Sequence, residues 1–437
     1  MILLGVVSLA VYFQVLFLGD LRQRIPEFLL CYFALSALYL CATVSLARFT
    51  TKKSLYLVLA FACSFRLVLF FSHPWLSDDV YRYQWEGYLQ VRGVNPFEFA
   101  PQALELASFR NEAWQQVNNK DASAIYPPLL QLIHAAVFWT LRSLWGFKLA
   151  FLVAEAGLVW LLLRLLRFYG RQENQVMFYV WNPLPIIEIA GNGHHDACVA
   201  ALVLAAAWFT LAVQHRKAVL SLAGAILCKL YPVAVLPFFL KRLPWRSLLW
   251  LGVLLPAAYL PYASAGDRLF SGLLHYGDKW RFNGFLFQKL SEQVTDETAG
   301  RLLLLMAGAV IGARLVLKMD LLSQLFWTTG IVLLCAPTLF PWYLIWITPF
   351  LCFFPNPAWL LLTVLSPLSY NVLIEWWTIG VWRQNELFLK LQYYPFYALL
   401  IWSFFRAAKP KSEVRCRSNC RQLETGSESQ ESLGSRS

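Results

Sequence analysis

Apolar residues run along this chain in long unbroken blocks, and polar residues are confined to the intervals between them. Blocks at 2–18, 27–47, 54–72, 147–167, 176–190, 197–213, 245–262, 300–317, 322–338, 341–354, 357–374 and 389–406 approach the ~20 residues an α-helix needs to cross a bilayer. Their apolar character is continuous, whereas strands of a membrane β-barrel would alternate. The pattern predicts an all-α polytopic membrane protein with twelve transmembrane helices. Two further stretches, 129–142 and 218–240, are interrupted: Tyr126-Pro127-Pro128 opens the first and Lys229-Leu230-Tyr231-Pro232 breaks the second. Both are read as partial or re-entrant helices, because proline removes a backbone donor and a helix turn with it. Non-helical backbone at membrane depth is tolerated only where protein buries it or a water-filled cavity receives it.

Basic residues cluster at Arg48/Lys52/Lys53, Arg164/Arg167/Arg171, His215/Arg216/Lys217, Arg314/Lys318 and from Lys409 onward. Placing these on the cytoplasmic side closes the bookkeeping with twelve spans and both termini inside. Residues 73–127, 191–196, 264–300 and 375–386 then share the outer face. Counting 129–142 and 218–240 as full spans would put two basic loops outside, so that topology is disfavoured. The outer loop 73–127 is the longest between spans, and loops of this length are commonly functional. Residues 1–408 form the expected membrane domain. Residues 409–437, rich in Ser, Glu and Arg, are expected to be a disordered cytoplasmic tail.

Composition fits this class. The 437 residues are 59% hydrophobic and 14% charged, against roughly a quarter charged in soluble domains. The excess of 37 Lys and Arg over 25 Asp and Glu follows from the inside loops and calls for no nucleic-acid partner. Of nine cysteines, seven lie in apolar segments, and Cys416 and Cys420 lack further ligands at zinc spacing. No disulfide framework is implied. The first apolar run lacks a basic leader and a small-residue cleavage site, so it reads as a retained span.

Candidate chemistry collects on the outer face. Asp78 and Asp79 follow the 54–72 span directly, and ionisable groups at a membrane boundary are functional candidates. Arg82 and Glu86 follow at helical spacing, on a short amphipathic helix. Gly191-Asn192-Gly193-His194-His195-Asp196 ends a span. Its residues fit a metal site poorly, because adjacent histidines rarely share one ion. They fit better as a cluster for phosphate or sugar hydroxyls, since glycines expose backbone N–H groups. Lys229 sits in an apolar run, where it either snorkels to an interface or holds an anion at a helix break. Arg281, with Lys279 and His275 nearby, is a second cationic candidate. A carboxylate base with cations placed for a departing phosphate suits transfer of a sugar from a lipid phosphate. A single base favours inversion, by analogy with glycoside chemistry.

The run SDDVYRYQWEGYLQVRGVNPFEFAP, then IYPPLLQLIHA, FYVWNPLPIIEIAGNGHHDACVAALVL, AILCKLYPVAVLPFF and PTLFPWYLIWITPFL, resembles the GT-C membrane glycosyltransferases. It is most similar to bacterial polyprenyl-phosphate-mannose-dependent mannosyltransferases. The five blocks lie in order between residues 77 and 351. The resemblance implies a GT-C fold with an acidic residue of the first outer loop as catalytic base, which maps to Asp79 or Asp78. It implies that Tyr126, Asn192, His194, Asp196, Lys229 and Tyr231 line one cavity. His195, Trp342 and Tyr343 fall in the same blocks and complete the candidate substrate-binding set with Arg82, Glu86 and Arg281. One departure is Phe340, which precedes Pro341-Trp342-Tyr343 where a histidine is frequent in the family.

The expected function is therefore hexosyl transfer, with mannose indicated by the resemblance. The expected partners are a polyprenyl-phosphate sugar donor, a lipid or glycan acceptor, and membrane lipid. No cofactor is required, and a divalent metal is compatible with the acidic pair but not demanded by it. The expected location is the plasma membrane, multi-pass, with the site facing the periplasm or exterior. Two other readings are a transporter of a lipid-linked saccharide and an O-antigen-type ligase or polymerase. A transporter would carry paired interrupted helices in matching halves, and no second Asp-Asp or Tyr-Pro-Pro block occurs. A ligase would carry its long outer loop late in the chain, whereas here it is early.

Overall fold

A computed structural model describes residues 1–46 and 51–407, with side chains described to residue 405. Arg48 and the tail from residue 409 lie outside the described residues. The described chain is all-helical, without strands. Six helices are long and apolar enough to cross a membrane, or seven when one sharply bent pair counts as a single span. The chain is thus a multi-pass membrane protein. Its long helices are apolar on the outside too: Leu30, Val44, Leu304 and Leu305 are 69–85% exposed. A helix apolar all round is stable there only when lipid covers it.

The expected segments appear with instructive differences. Helices Ile25–Val44, Lys52–Phe70, Leu144–Phe168 and Asp296–Val316 match four predicted spans. Trp245–Lys279 continues past the expected end at 262 as one broken apolar run, and Pro357–Ile379 past 374. Glu386–Ala407 covers the last predicted segment. Ile2–Phe17 and Leu321–Cys335 are shorter, at 16 and 15 residues. The predicted 341–354 span is instead two short 3₁₀ turns, Pro341–Trp346 and Thr348–Cys352. Pro349, in the first turn of the second piece, cannot supply the N–H that would join the two into one helix.

The predicted 176–190 and 197–213 spans form the bent pair. Pro183–Gly191 and Asp196–Leu211 meet at 119°. Asn182 caps the first piece by accepting from the Leu184 N–H, and a π-turn over Ile186–Gly191 loosens it before the break. Gly193 makes the corner at φ +76°, and a Cβ there would press within 3.2 Å of Val80 and Lys148 side-chain atoms. Left-handed backbone and close packing together require glycine.

The two interrupted stretches behave as partial helices. Pro128–Leu141 has 14 residues, about 21 Å of rise, which falls short of a ~30 Å hydrocarbon core. The 218–240 stretch is split into His215–Cys228 and Tyr231–Leu240, with Lys229 at the break. The Asp79–Val91 helix crosses Pro128–Leu141 at Gly87, where a Cβ would lie 2.4 Å from the His134 carbonyl oxygen.

Buried charges are paired. Arg66 and Glu155 form a two-pronged ion pair at 2.7 Å, and the Tyr179 hydroxyl donates to the same carboxylate. Lys148 is fully buried and donates to the Leu69 and Ser72 carbonyls at 3.2 and 2.6 Å. It thereby adds a donor at the end of Lys52–Phe70, where the Leu69 carbonyl also accepts from the Ser72 N–H and hydroxyl. Glu155→Ala leaves the Arg66 guanidinium without its counter-charge. The expected loss is about 3–5 kcal/mol, read as a lowered unfolding midpoint in detergent.

Candidate active site

At the Lys148 contacts the Lys52–Phe70 helix ends and the chain runs on toward Asp78. The Leu76 N–H donates to the Asn192 side chain at 3.4 Å, so the loop is tied to the bent span. The Asp79–Val91 helix starts here, with Asp78 at its N-cap position and Asp79 in its first turn. A carboxylate in a first turn is favoured by the exposed N–H groups. Both carboxylates line a cleft of about 1770 Å³.

One amide orients the pair. The Asn118 side-chain NH₂ donates to Asp78 Oδ1 at 2.6 Å and to Asp79 Oδ1 at 2.8 Å. Asn118 is held in turn by Arg82, whose guanidinium donates to the Asn118 and Asn119 carbonyls at 2.5 and 2.6 Å and to the Ala122 carbonyl at 3.1 Å. The second oxygen of Asp79 stands 3.9 Å from His194 Nδ1. Burial, and then the charge of Asp79, push the Asp78 carboxyl up to about 6. Burial also raises Asp79. The Asn118 amide opposes both shifts, because its hydrogen bonds favour the ionised forms.

The predicted site residues divide into two groups. Asp78, Asp79, Arg82, Tyr126, Arg281, Trp342 and Tyr343 line the cleft. Of these, Arg82 is 5% exposed, and its donors are spent on the Asn118–Ala122 loop. Arg281 is anchored to Asp296 at 3.2 Å and to the Gly277 and Trp280 carbonyls. Tyr343 shares a 2.7 Å hydroxyl contact with Tyr276. Lys279 also lines the cleft, with its side chain 58% exposed.

The other group does not line this cleft. Glu86 is buried, accepts from Gln131 at 2.7 Å, and stands 3.7 Å from His134. Asn192 is spent on Leu76 and Glu188. His195 is caged by Tyr83, Tyr126, His134 and Phe151. Lys229 was open to two readings, a side chain snorkelling to an interface or one holding an anion at the helix break. Its anion is Asp196, at 2.5 Å, and Asp196 also accepts from the Trp346 indole. Tyr231 stacks on Trp346 at 4.0 Å. At the two breaks Asn192, Asp196 and Lys229 pair with neighbouring polar groups, whereas the ring nitrogens of His195 have no hydrogen-bond partner. His194 is fully buried, stacked on Trp342 at 4.0 Å. Among the described residues no three His, Cys, Asp or Glu side chains converge as a metal site would need.

Sequence reading missed Asn118 and Glu188. Asn118 lies 40 residues beyond Asp78 in a loop without a motif, so only folding could reveal it. Glu188 did carry a signal: it is an acidic residue inside a predicted span, where ionisable groups are functional candidates.

Fold and site together define a multi-pass membrane protein with a paired-carboxylate cleft at the end of its helices. The chain belongs to the alpha-(1→6)-mannopyranosyltransferase family, whose N-terminal domain matches residues 9–243. It is accordingly an enzyme, a glycosyltransferase of the mannosyltransferase type, and the transporter reading gives way. Comparison with curated proteins and with solved structures gave no match.

The carboxylate pair sets a pH expectation. If either carboxylate serves as base it works ionised, and burial raises both carboxyls above the usual carboxylate range, so transfer activity is expected to fall as pH drops through that raised range. Asn118→Leu removes hydrogen bonds that favour the ionised forms. Its pH–rate profile is expected to shift its acid limb to higher pH.

Proposed function

We propose that the protein moves a mannosyl group from a polyprenyl-phosphate donor to the hydroxyl of a lipid or glycan acceptor, with inversion, on the extracytoplasmic face. The observation that carries this reading is the Asp78/Asp79 pair, oriented by one Asn118 amide and lining a large cleft. A GT-C arrangement accords with the all-helical chain and with the early outer loop that bears the pair.

Asp79 is the base. One of its oxygens is engaged by Asn118, and the acceptor proton goes to the carboxylate as the acceptor oxygen attacks the anomeric carbon. The new carbon–oxygen bond forms as the bond to phosphate breaks, and the leaving electron pair stays on the phosphate. Arg281 and Lys279, two residues apart on the cleft wall, are the cations best placed to meet that charge. Trp342 and Tyr343 supply aromatic faces for the sugar or prenyl carbons. Asp78, raised to about 6 by burial and then by its neighbour's charge, stays partly protonated there and so limits the repulsion between the two groups. The family's name specifies an α-(1→6) bond. Inversion to an α product requires a β-linked donor, and position 6 requires a primary hydroxyl.

The test uses purified protein in lipid with labelled polyprenyl-phosphate mannose and a short α-mannoside on an apolar aglycone. Asp79→Asn is expected to lower transfer by about 10²-fold or more, while donor binding is retained. Full transfer by both Asp79→Asn and Asp78→Asn would refute the carboxylate base.

A further inference from the structure

Behind the cleft wall a second carboxylate faces the opposite edge of His194. His194 Nε2 stands 3.7 Å from Glu188 Oε2, as Nδ1 stands 3.9 Å from Asp79 Oδ2. Neither ring nitrogen has a hydrogen-bond partner, although His194 is fully buried. A buried imidazole unpaired at both edges is costly, and here each edge is directed at a carboxylate. The ring plane is set by stacking. Trp342 lies on His194 at 4.0 Å and 15°, and Phe340 lies on Trp342 at 4.3 Å and 5°.

Glu188 is placed with equal care. The Tyr370 hydroxyl donates to Oε1 at 2.7 Å, and the Asn192 amide donates to Oε2 at 3.0 Å. The His194 N–H donates to the Glu188 carbonyl at 2.9 Å, because the π-turn and the Gly193 corner fold the chain back on itself. The other charged groups near His194 are Lys229 and Asp196, which are paired to each other.

We propose that Asp79, His194 and Glu188 act as one unit, in which His194 receives the acceptor's proton from Asp79 and Glu188 holds the resulting imidazolium. The proposal rests on Asp79 being the base. In the resting tautomer Nε2 carries the hydrogen toward Glu188, and Nδ1 is free. Sugar transfer moves the hydroxyl proton to Asp79. Asp79 then passes it from Oδ2 to Nδ1, which restores the carboxylate and leaves a cation between two anions. After product leaves, the proton returns from Nδ1 to Asp79 Oδ2 and from there to water in the cleft. Catalytic hydrogen bonds are commonly long before substrate binds and shorten in the complex, and both gaps here exceed hydrogen-bond length by less than about 1 Å. Inversion needs one base per turnover, so the unit resets Asp79 without a second group in the cleft. His194 and Glu188 touch no substrate and are positioning residues.

The test measures kcat per donor-binding site, with sites counted by saturation with labelled polyprenyl-phosphate mannose. Glu188→Gln keeps the shape of the side chain and an acceptor for Tyr370, and His194→Gln removes the ring. Each is expected to lower kcat per site about tenfold or more, with both KM values within twofold. The double variant is expected to be no slower than the slower single one, as for residues that work as a unit. A merely structural role would reduce the number of donor-binding sites and leave kcat per site within threefold. That outcome in Glu188→Gln overturns the proposal, even where His194→Gln yields no folded protein. Asp79→Asn separates the two levels: an active Asp79→Asn refutes the base itself. An inactive Asp79→Asn beside a normal Glu188→Gln refutes only the relay.

Discussion

An ionised side chain in hydrocarbon must find a partner, and that constraint organises this molecule. Arg66 pairs with Glu155 between long helices. Lys148 pairs with the Leu69 and Ser72 carbonyls where the Lys52–Phe70 helix ends. Lys229 pairs with Asp196, joining one helix break to another. The last two pairings lie at helix ends or breaks. The cleft carboxylates are the exception. Their shared contact is the neutral Asn118 amide, which orients them without cancelling their charge, so the charge remains available for chemistry.

The breaks and the site follow from one another. A π-turn, a left-handed glycine and a 119° bend give up regular helix at Ile186–His195. The backbone and side chains freed there are reused. Asn192 ties down the loop before Asp78, and His194 comes to stand between Glu188 and Asp79. Likewise the short Pro128–Leu141 helix ends before it could span, and the Asp79–Val91 helix packs across it. Its His134 and Gln131 meet Glu86, which secures the far side of that helix. The carboxylates therefore sit at the start of a helix that is braced along its length.

Two residues chosen for charge take their partners inside the protein. Arg82 and Glu86 stand at i, i+4 and both are buried. Arg82 reaches three carbonyls of the loop that carries Asn118. An arginine offers five donors in a rigid fork, and a loop of unpaired carbonyls satisfies them better than one carboxylate would. Arg82 thereby holds the Asn118 loop while also lining the cleft.

Apolar block length and proline placement were sufficient to read a helical membrane protein, the interruptions before Pro128 and at Lys229, and the Asp-Asp and His-His-Asp motifs, because these depend on local chemistry. The number of full crossings was less legible, since apolarity alone does not separate a straight helix from the 3₁₀ turns of Pro341–Cys352. Pairing was not legible at all. That Asn118 bridges Asp78 and Asp79, that Lys229 takes Asp196, and that Glu188 stands behind His194 are contacts between residues brought together only when helices pack. A charge reveals in sequence that it needs a partner. Which partner it takes depends on distances in the folded chain, and those belong to the tertiary structure.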